Sequence, residues 1–151
     1  KDKINFNLLL VGNGVEKQNL KNYINKNYLS NQVRIINFQN NPFNLIRSSD
    51  VFILTSLYEG LPNVLLEAQV LKKFIISSNC PTGPREILLN GKAGFLFKVG
   101  DYKKLSNLIL DYSKNKKKLS KKIKIYYKNL NRFDYKQNLE YYLKIINSLI
   151  K

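Results

Sequence analysis

The sequence predicts an α/β fold in which a parallel sheet is flanked by helices. Three observations lead to this prediction. Short apolar runs alternate with longer stretches in which apolar residues recur at helical spacing. The first run, NFNLLLV, ends at Gly12-Asn13-Gly14, as a buried strand of a parallel sheet ends at the turn into its helix. The 151 residues, 44% of them apolar, are enough to bury roughly two thirds of the unfolded surface. Strands and helices in this order form a parallel sheet with right-handed crossovers.

The predicted elements follow one another without a repeat or a low-complexity linker. A buried strand at 5–11 precedes a helix over 16–27, in which Leu20, Tyr23 and Ile24 have helical spacing. The further elements are a strand at 33–38, a short helix to Ser48, a strand at 50–55, a helix at 62–71, a strand at 74–77, a helical turn to Leu89, a strand at 94–97, and helices from Asp101, over 115–129 and over 134–150. We therefore predict one domain over 1–151, with a basic helical tail at 114–151.

The residue types that are missing exclude several classes of chemistry. Histidine is absent, so Ser-His, Cys-His and His-ligated metal sites are excluded within this chain. Cys80 is the single cysteine and cannot form an internal disulfide, which suits a reducing cytoplasm. We interpret it as a small loop residue rather than a reactive thiol. No run reaches the ~18 apolar residues of a membrane-spanning helix, and the opening KDKINFNLLL is too polar for a signal peptide. Because there is no Met and the first residues resemble a structured interior, we expect a piece of a longer chain.

The net charge of +16 is concentrated near the C-terminus. Residues 101–151 carry 14 basic and 4 acidic groups, with the densest cluster in KNKKKLSKKIKIYYK at 114–128. One interpretation is a solvated lysine face in a chain of biased composition. A second is attraction to an anionic membrane surface. Nucleic acid is disfavoured, because the aromatic residues have core-like spacing and form no stacking platform.

Three loops stand where an open parallel sheet binds ligands, at the carboxyl ends of its strands. They are residues 12–15, 38–42 and 56–63. The first resembles the start of a dinucleotide fingerprint, but Lys17 replaces the third glycine and no acid clearly closes a second strand. The pattern is therefore weak support for a nicotinamide cofactor.

The third loop runs into a helix with an anion-binding character. Pro62 suits the first helical position, because its φ is fixed and its missing N–H would be unpaired there. The amides of Asn63 to Leu65 would then be free donors at the positive end of the helix dipole. Gly60 would allow close approach of a ligand to the backbone. These features predict a site for a diphosphate.

Two carboxylates bracket this helix start. Glu67 has apolar neighbours on nearly every side, and a buried carboxylate is costly unless it is hydrogen-bonded, for example by sugar hydroxyls. Taken alone, Glu67 is more simply explained as a solvent-facing residue or as the partner of a lysine. Glu59 could simply be an acid that stabilises the helix dipole. The residues by themselves leave both readings open.

The surrounding sequence resembles one enzyme family. The stretch SDVFILTSLYEGLPNVLLEA resembles the donor-binding segment of retaining glycosyltransferases of GT-B family 4 (glycosyl transferases group 1), whose motif is Glu, seven residues, Glu. LLLVGNGVEKQNL, VRIINFQNNPFNLIRSSDVF and SSNCPTGPREILLNGKAGFLFKVGD resemble the segments on either side of it. The resemblance covers about residues 5 to 112. It implies a Rossmann-like domain, the C-terminal half of a GT-B fold, here without its first segment.

The resemblance implies roles for individual residues. Glu59 would contact hydroxyls of the donor sugar as the catalytic-site acid, and Glu67 would contact the nucleotide ribose. The turn whose amides hold sugar and phosphate corresponds to Gly60, Leu61, Pro62, Asn63 and Val64. The loop that meets the base would include Phe38, Gln39 and Asn40, with Gly12 near the nucleotide. Gly83 and Glu86 also match a family pattern, and we expect them to be structural.

The resemblance also implies an activity and its limits. The enzyme would transfer a sugar from a nucleotide-sugar, for which we expect a UDP-linked donor, to an acceptor with retention of configuration and without a metal or other cofactor. CPTGPREIL resembles enzymes that build surface glycans on lipid carriers, which suggests a glycan or lipid-linked acceptor and a cytoplasmic enzyme at the inner face of the membrane. In the family, an Arg and a Lys clamp the diphosphate. These two residues fall outside this chain, and so does the acceptor domain, so we expect the fragment to be inactive alone. The alternatives are a nucleotide-sugar epimerase of the same architecture and a non-catalytic basic module that binds membrane or nucleic acid.

Overall fold

The computed structural model of the protein describes residues 4–150 and divides them into two compact units, which meet in sequence between Asn44 and Leu45. The strands are β1 Leu8–Val11, β2 Val33–Ile36, β3 Val51–Leu54, β4 Phe74–Ser78 and β5 Phe95–Phe97. The helices are α1 Lys17–Lys26, α2 Phe43–Ser48, α3 Asn63–Val70, α4 Pro84–Ile87, α5 Tyr102–Lys128 and α6 Tyr135–Leu149, with a 3-10 helix at Leu130–Phe133. Every predicted strand is present, and the helices follow in the predicted order, with the predicted helices from Asp101 and over 115–129 joined in α5.

The first unit is built around the parallel pair of β1 and β2, in which Leu8 lies opposite Val33. Val33 and Ile24 of α1 are its buried apolar residues. The prediction of a long buried first strand is wrong in two respects. The strand begins only at Leu8, and Leu8, Leu9 and Val11 are exposed. The continuous apolar run predicted that β1 would be buried in a sheet. In the described part of the chain, however, β1 pairs with β2 alone.

The second unit contains a three-stranded parallel sheet in the order β3, β4, β5. All five residues of the central strand β4 are buried. Its side chains alternate between two apolar clusters, as a strand with both faces covered requires. Ile75 belongs to the cluster that includes Leu65 and Ala68 of α3. Phe74 and Ile76 belong to the cluster on the other face, which includes Leu108 and Leu119 of α5.

The long helix α5 combines two of the predicted helices. It begins at the N-cap Asp101, whose carboxylate accepts a hydrogen bond from the Lys104 amide at 2.9 Å. Asn115 has non-helical backbone angles and marks a kink where two helices had been predicted. Beyond the kink, Leu119 and Tyr126 are buried. The tail is therefore anchored to the core on one side.

Helix α6 is different, because none of its residues is buried. It is capped by Asp134, whose carboxylate accepts a hydrogen bond from the Gln137 amide at 2.9 Å. Its apolar side chains recur at helical spacing and are exposed: Leu139, Tyr142, Leu143, Ile146 and Leu149. We call this set the α6 stripe. Among the described helices, none is long and apolar enough to cross a membrane.

Candidate functional site

The start of α3 lies at the carboxyl end of β3, as the sequence predicted. Pro62 is the N-cap rather than the first helical residue, and α3 begins at Asn63. The prediction of three free amides is wrong for Leu65, whose N–H donates to the Pro62 carbonyl at 2.9 Å. Within the described residues the amides of Asn63 and Val64 have no such acceptor. Two backbone donors are thus available at the positive end of the helix.

Glu67 lies four residues into α3 and is half-buried. The helix buries Leu65, Ala68 and Gln69 on its core side, while Val70 is exposed. The helix is therefore partly rather than fully buried. Within residues 4–150 the Glu67 side chain forms no ion pair. The hypothesis that Glu67 is the partner of a lysine is therefore not supported in this part of the chain. Its carboxylate is free to accept hydrogen bonds from a ligand.

Glu59 is held in place at both its side chain and its main chain. The Ser56 hydroxyl donates to Oε1 of the Glu59 carboxylate at 2.6 Å. The Thr82 hydroxyl donates to the Glu59 carbonyl. Ser78, at the end of β4, donates its hydroxyl to the Ser56 carbonyl at 2.7 Å. The end of β4 and the loop after it therefore hold the turn that carries Glu59.

Gly83 packs directly against this turn. Its φ of +78° is one that residues with a side chain rarely adopt. A Cβ at this position would overlap the carbonyl oxygen of Gly60 and the ring of Pro62. Gly83 thus has the structural role expected of it, and it fixes the distance between the two loops. Cys80, in the same loop, is a buried free thiol.

The other predicted site residues belong to the first unit. The Gly12 amide donates to the Ile36 carbonyl at 3.0 Å, which joins the ends of β1 and β2. Lys17 donates its ammonium to the side-chain oxygens of Asn13 and Asn37. The Gln39 amide group donates to the carbonyls of Asn37 and Phe38, and Phe38 and Asn40 are exposed.

The structure therefore groups the predicted residues by unit. Glu59 to Glu67 form one group, around the start of α3. Gly12 and the loop 38–40 form another, at the ends of β1 and β2. Ser56, Ser78 and Thr82 were not among the residues predicted for the site. Their position was the available signal: Ser56 follows β3, Ser78 ends β4 and Thr82 follows it, and the carboxyl ends of these parallel strands meet at one edge of the sheet.

The basic tail is only partly tied to the fold. Lys116 pairs with Asp50 at 2.9 Å, and this hydrogen bond raises the pKa of the ammonium. Lys122 donates to the Gly91 and Lys92 carbonyls, and burial lowers its pKa. Other lysines of α5 are exposed, including Lys117, Lys118, Lys121 and Lys124. No group of His, Cys, Asp and Glu that could hold a metal ion occurs among residues 4–150.

The fold and sequence are similar to those of known proteins. An uncharacterised glycosyltransferase of Methanocaldococcus jannaschii is 45% identical over 84 residues, which are 56% of this chain and 21% of that protein. The Escherichia coli UDP-Gal:alpha-D-GlcNAc-diphosphoundecaprenol alpha-1,3-galactosyltransferase is 32% identical over 109 residues, 72% of this chain and 28% of that protein. The chain thus spans between a fifth and a third of the length of these relatives.

A solved structure shares the fold. Anabaena HepE in complex with UDP superposes with a TM-score of 0.85 at 23% identity, over 95% of this chain and 41% of that one. The predicted Rossmann-like α/β fold of GT-B type is confirmed. The family model described as glycosyl transferases group 1 matches residues 1–130. The chain therefore belongs to the glycosyl transferases group 1 family.

Proposed function

We propose that this chain is the donor-binding part of a retaining glycosyltransferase of GT-B family 4 that transfers a hexose-type sugar from a UDP-linked donor. In this proposal Glu59 contacts sugar hydroxyls and Glu67 contacts the ribose. The diphosphate lies at the amides of Asn63 and Val64. No metal or other cofactor takes part.

One observation carries the proposal. Glu59 precedes the start of α3 and Glu67 follows it, and two backbone amides at this helix start are available as donors. The two carboxylates can accept hydrogen bonds from hydroxyls, and the amides between them can donate to phosphate. A nucleotide-sugar has the same order of groups, with hydroxyls on the sugar, then the diphosphate, then hydroxyls on the ribose. An epimerase of the same architecture would use a similar pocket, but the Glu spacing favours the transferase.

The names of two similar proteins support the substrate class. One relative is named for UDP-Gal and a diphosphoundecaprenol acceptor, and the HepE structure contains UDP. We propose a UDP-sugar donor and a lipid-linked or glycan acceptor for the complete enzyme, meaning this chain together with an acceptor-binding part. Cations that neutralise the leaving diphosphate are expected from a further segment of the donor-binding domain itself. This chain alone would then bind nucleotide weakly and transfer no sugar.

Titration calorimetry of the complete enzyme with UDP-, GDP- and ADP-sugars tests the donor. We expect binding of a UDP-sugar, and a loss of about tenfold or more in kcat/KM for Glu59→Gln and for Glu67→Gln. Glu140→Gln, on the exposed surface of α6, is the matched control and should retain full activity. Equal activity in all three variants would contradict the proposed site, and product analysis by NMR would reveal inversion if retention is wrong.

We also propose that the exposed lysines of α5 hold the enzyme at the inner face of an anionic cytoplasmic membrane. Ammonium groups near an anionic surface gain about 1 kcal/mol each. Vesicle sedimentation with and without phosphatidylglycerol measures this attraction. The test variant replaces three exposed α5 lysines by Gln: Lys117, Lys118 and Lys121. The control replaces three exposed lysines elsewhere: Lys21, Lys26 and Lys98.

The α5 variant should lose binding to anionic vesicles while sugar transfer to a soluble acceptor is unchanged. The control variant, with the same change in net charge, should still bind. If both variants lose binding equally, net charge rather than the α5 surface is responsible. Retention on RNA in place of vesicles would favour the non-catalytic nucleic-acid alternative.

A further inference from the structure

The end of β4 and the loop that follows it contact the Glu59 turn at three separate points. Ser78 donates to the Ser56 carbonyl, Thr82 donates to the Glu59 carbonyl, and Gly83 packs on Gly60. Ser78 is itself buried, in the central strand of the second unit. The Glu59 turn is therefore held by contacts from the last residue of β4 and from the loop that follows it.

The Ser56 hydroxyl determines how the Glu59 carboxylate can be used. It donates to Oε1 at 2.6 Å, a short distance typical of a charge-assisted hydrogen bond. Ser56 and Glu59 are both half-buried, which limits competition from water. Among the described residues no donor contacts Oε2. With Oε1 occupied, Oε2 is the oxygen that remains to accept a hydrogen bond from a ligand.

Thr82 acts on the same residue through the main chain. Its hydroxyl donates to the Glu59 carbonyl, across 23 positions of sequence. This contact holds the Cα of Glu59, while Ser56 holds the end of its side chain. Together the two hydroxyls reduce the freedom of a side chain that would otherwise lose considerable rotamer entropy when it binds a ligand.

We propose that Ser56 and Thr82 are positioning residues that hold Glu59 so that its Oε2 receives a hydroxyl of the donor sugar. This inference rests on the proposed function, because it assumes that Glu59 contacts the sugar. Neither hydroxyl is assigned a contact with the substrate itself. Their effect should therefore be confined to recognition of the sugar and should depend on the carboxylate of Glu59.

Kinetics of the complete enzyme with a UDP-sugar donor test the inference. Ser56→Ala should lower kcat/KM about tenfold, and Ser56→Thr, which keeps the hydroxyl, should recover most of it. Thr82→Val should lower kcat/KM severalfold, with recovery in Thr82→Ser. Affinity for UDP without a sugar should not change. Ser120→Ala is the control, since its hydroxyl bonds only the Lys117 carbonyl in α5.

A double-mutant cycle separates positioning from a general loss of structure. In the Glu59→Gln background, Ser56→Ala should cost little more, because the group through which Ser56 acts has been removed. Additive losses, or a parallel loss of UDP affinity, would overturn the positioning role. Full activity of Ser56→Ala beside an inactive Glu59→Gln would also overturn it while leaving the proposed function intact. Full activity of Glu59→Gln would overturn both.

Discussion

At the scale of single residues, Gly83 shows how little space separates the two loops of the candidate site. We expect Gly83→Ala to destabilise the fold by about 3 kcal/mol or more, because the new Cβ meets Gly60 and Pro62 at a strained φ. Chemical denaturation followed by circular dichroism measures this loss.

Gly91→Ala is the matched control for that substitution. Gly91 has a similar φ of +84°, but a Cβ there meets no atom within 4 Å. It should therefore cost only the strain of the backbone, about 1–2 kcal/mol. Equal losses for both variants would mean that contact with the Glu59 turn contributes nothing.

Tyr126 supports a second residue-scale prediction. Its side chain is 1% exposed and its hydroxyl donates to the Lys73 carbonyl at 2.8 Å. Tyr126→Phe leaves that carbonyl without its donor and should cost about 1–2 kcal/mol of unfolding free energy. Tyr127→Phe is the control, since Tyr127 is half exposed. An unchanged denaturation midpoint for Tyr126→Phe would contradict the role of this bond.

The same tyrosine predicts a feature of the alkaline titration. Burial raises the pKa of the Tyr126 hydroxyl above its ordinary value, and it raises that of Tyr112 as well. The folded state therefore holds these protons at a pH where the unfolded state releases them. Stability from these groups is complete below the ordinary tyrosine pKa of about 10 and falls as pH rises beyond it. Ultraviolet absorbance should show late ionisation that Tyr126→Phe removes in part.

The two acids of the candidate site were predictable from the sequence, whereas the three hydroxyls around Glu59 were not. The spacing of Glu59 and Glu67 is local and lies within one strand–turn–helix unit, so it could be read directly. The contacts of Ser78 and Thr82 with that unit depend on β4 lying beside β3, whereas Ser56 lies within the unit, three residues from Glu59. Strand order is a long-range property, so the sequence alone did not specify which hydroxyls of β4 and the loop after it would reach the Glu59 turn.

At the scale of elements, α5 and α6 carry the same N-cap chemistry in different settings. Asp101→Ala and Asp134→Ala each remove one side-chain acceptor, worth about 1 kcal/mol of helix stability. Since α5 buries Leu108 and Tyr126, Asp101→Ala should lower global stability. Asp134→Ala should reduce helical ellipticity with little change in the melting temperature, because α6 buries nothing. A large fall in melting temperature for Asp134→Ala would contradict this description of α6.

Element types were predictable because the apolar periods of strands and helices differ. Errors arose where neighbours decide the outcome. Burial of β1 was inferred from its apolar run, but exposure depends on what packs against the strand. The start of α3 shifted by one residue because the Pro62 carbonyl accepts the Leu65 amide and thereby makes Pro62 the cap. The two tail helices that were predicted to be separate at residue 115 form one helix, α5, with a kink at Asn115.

At the scale of the whole molecule, local stability should differ strongly between strands. Amides of β4 are flanked by strands on both sides and covered by two apolar clusters. Those of β1 lie in a two-stranded sheet with exposed side chains. Hydrogen exchange followed by mass spectrometry should show the slowest exchange in Phe74–Ser78 and faster exchange in Leu8–Val11. Equal protection of both strands would contradict the difference in packing.

The α6 stripe has a consequence for the behaviour of the chain in solution. Exposed apolar surface favours self-association, while a net charge of +16 keeps copies apart by repulsion. Salt shortens the range of that repulsion from about 10 Å at 0.1 M to about 3 Å at 1 M. Light scattering should therefore report larger particles at high ionic strength, and Leu143→Ser with Ile146→Ser should abolish the increase. The solubility of this polypeptide thus depends on ionic strength. The positive charge that is proposed to attract it to membranes also opposes association of the α6 stripe with a second copy of the chain.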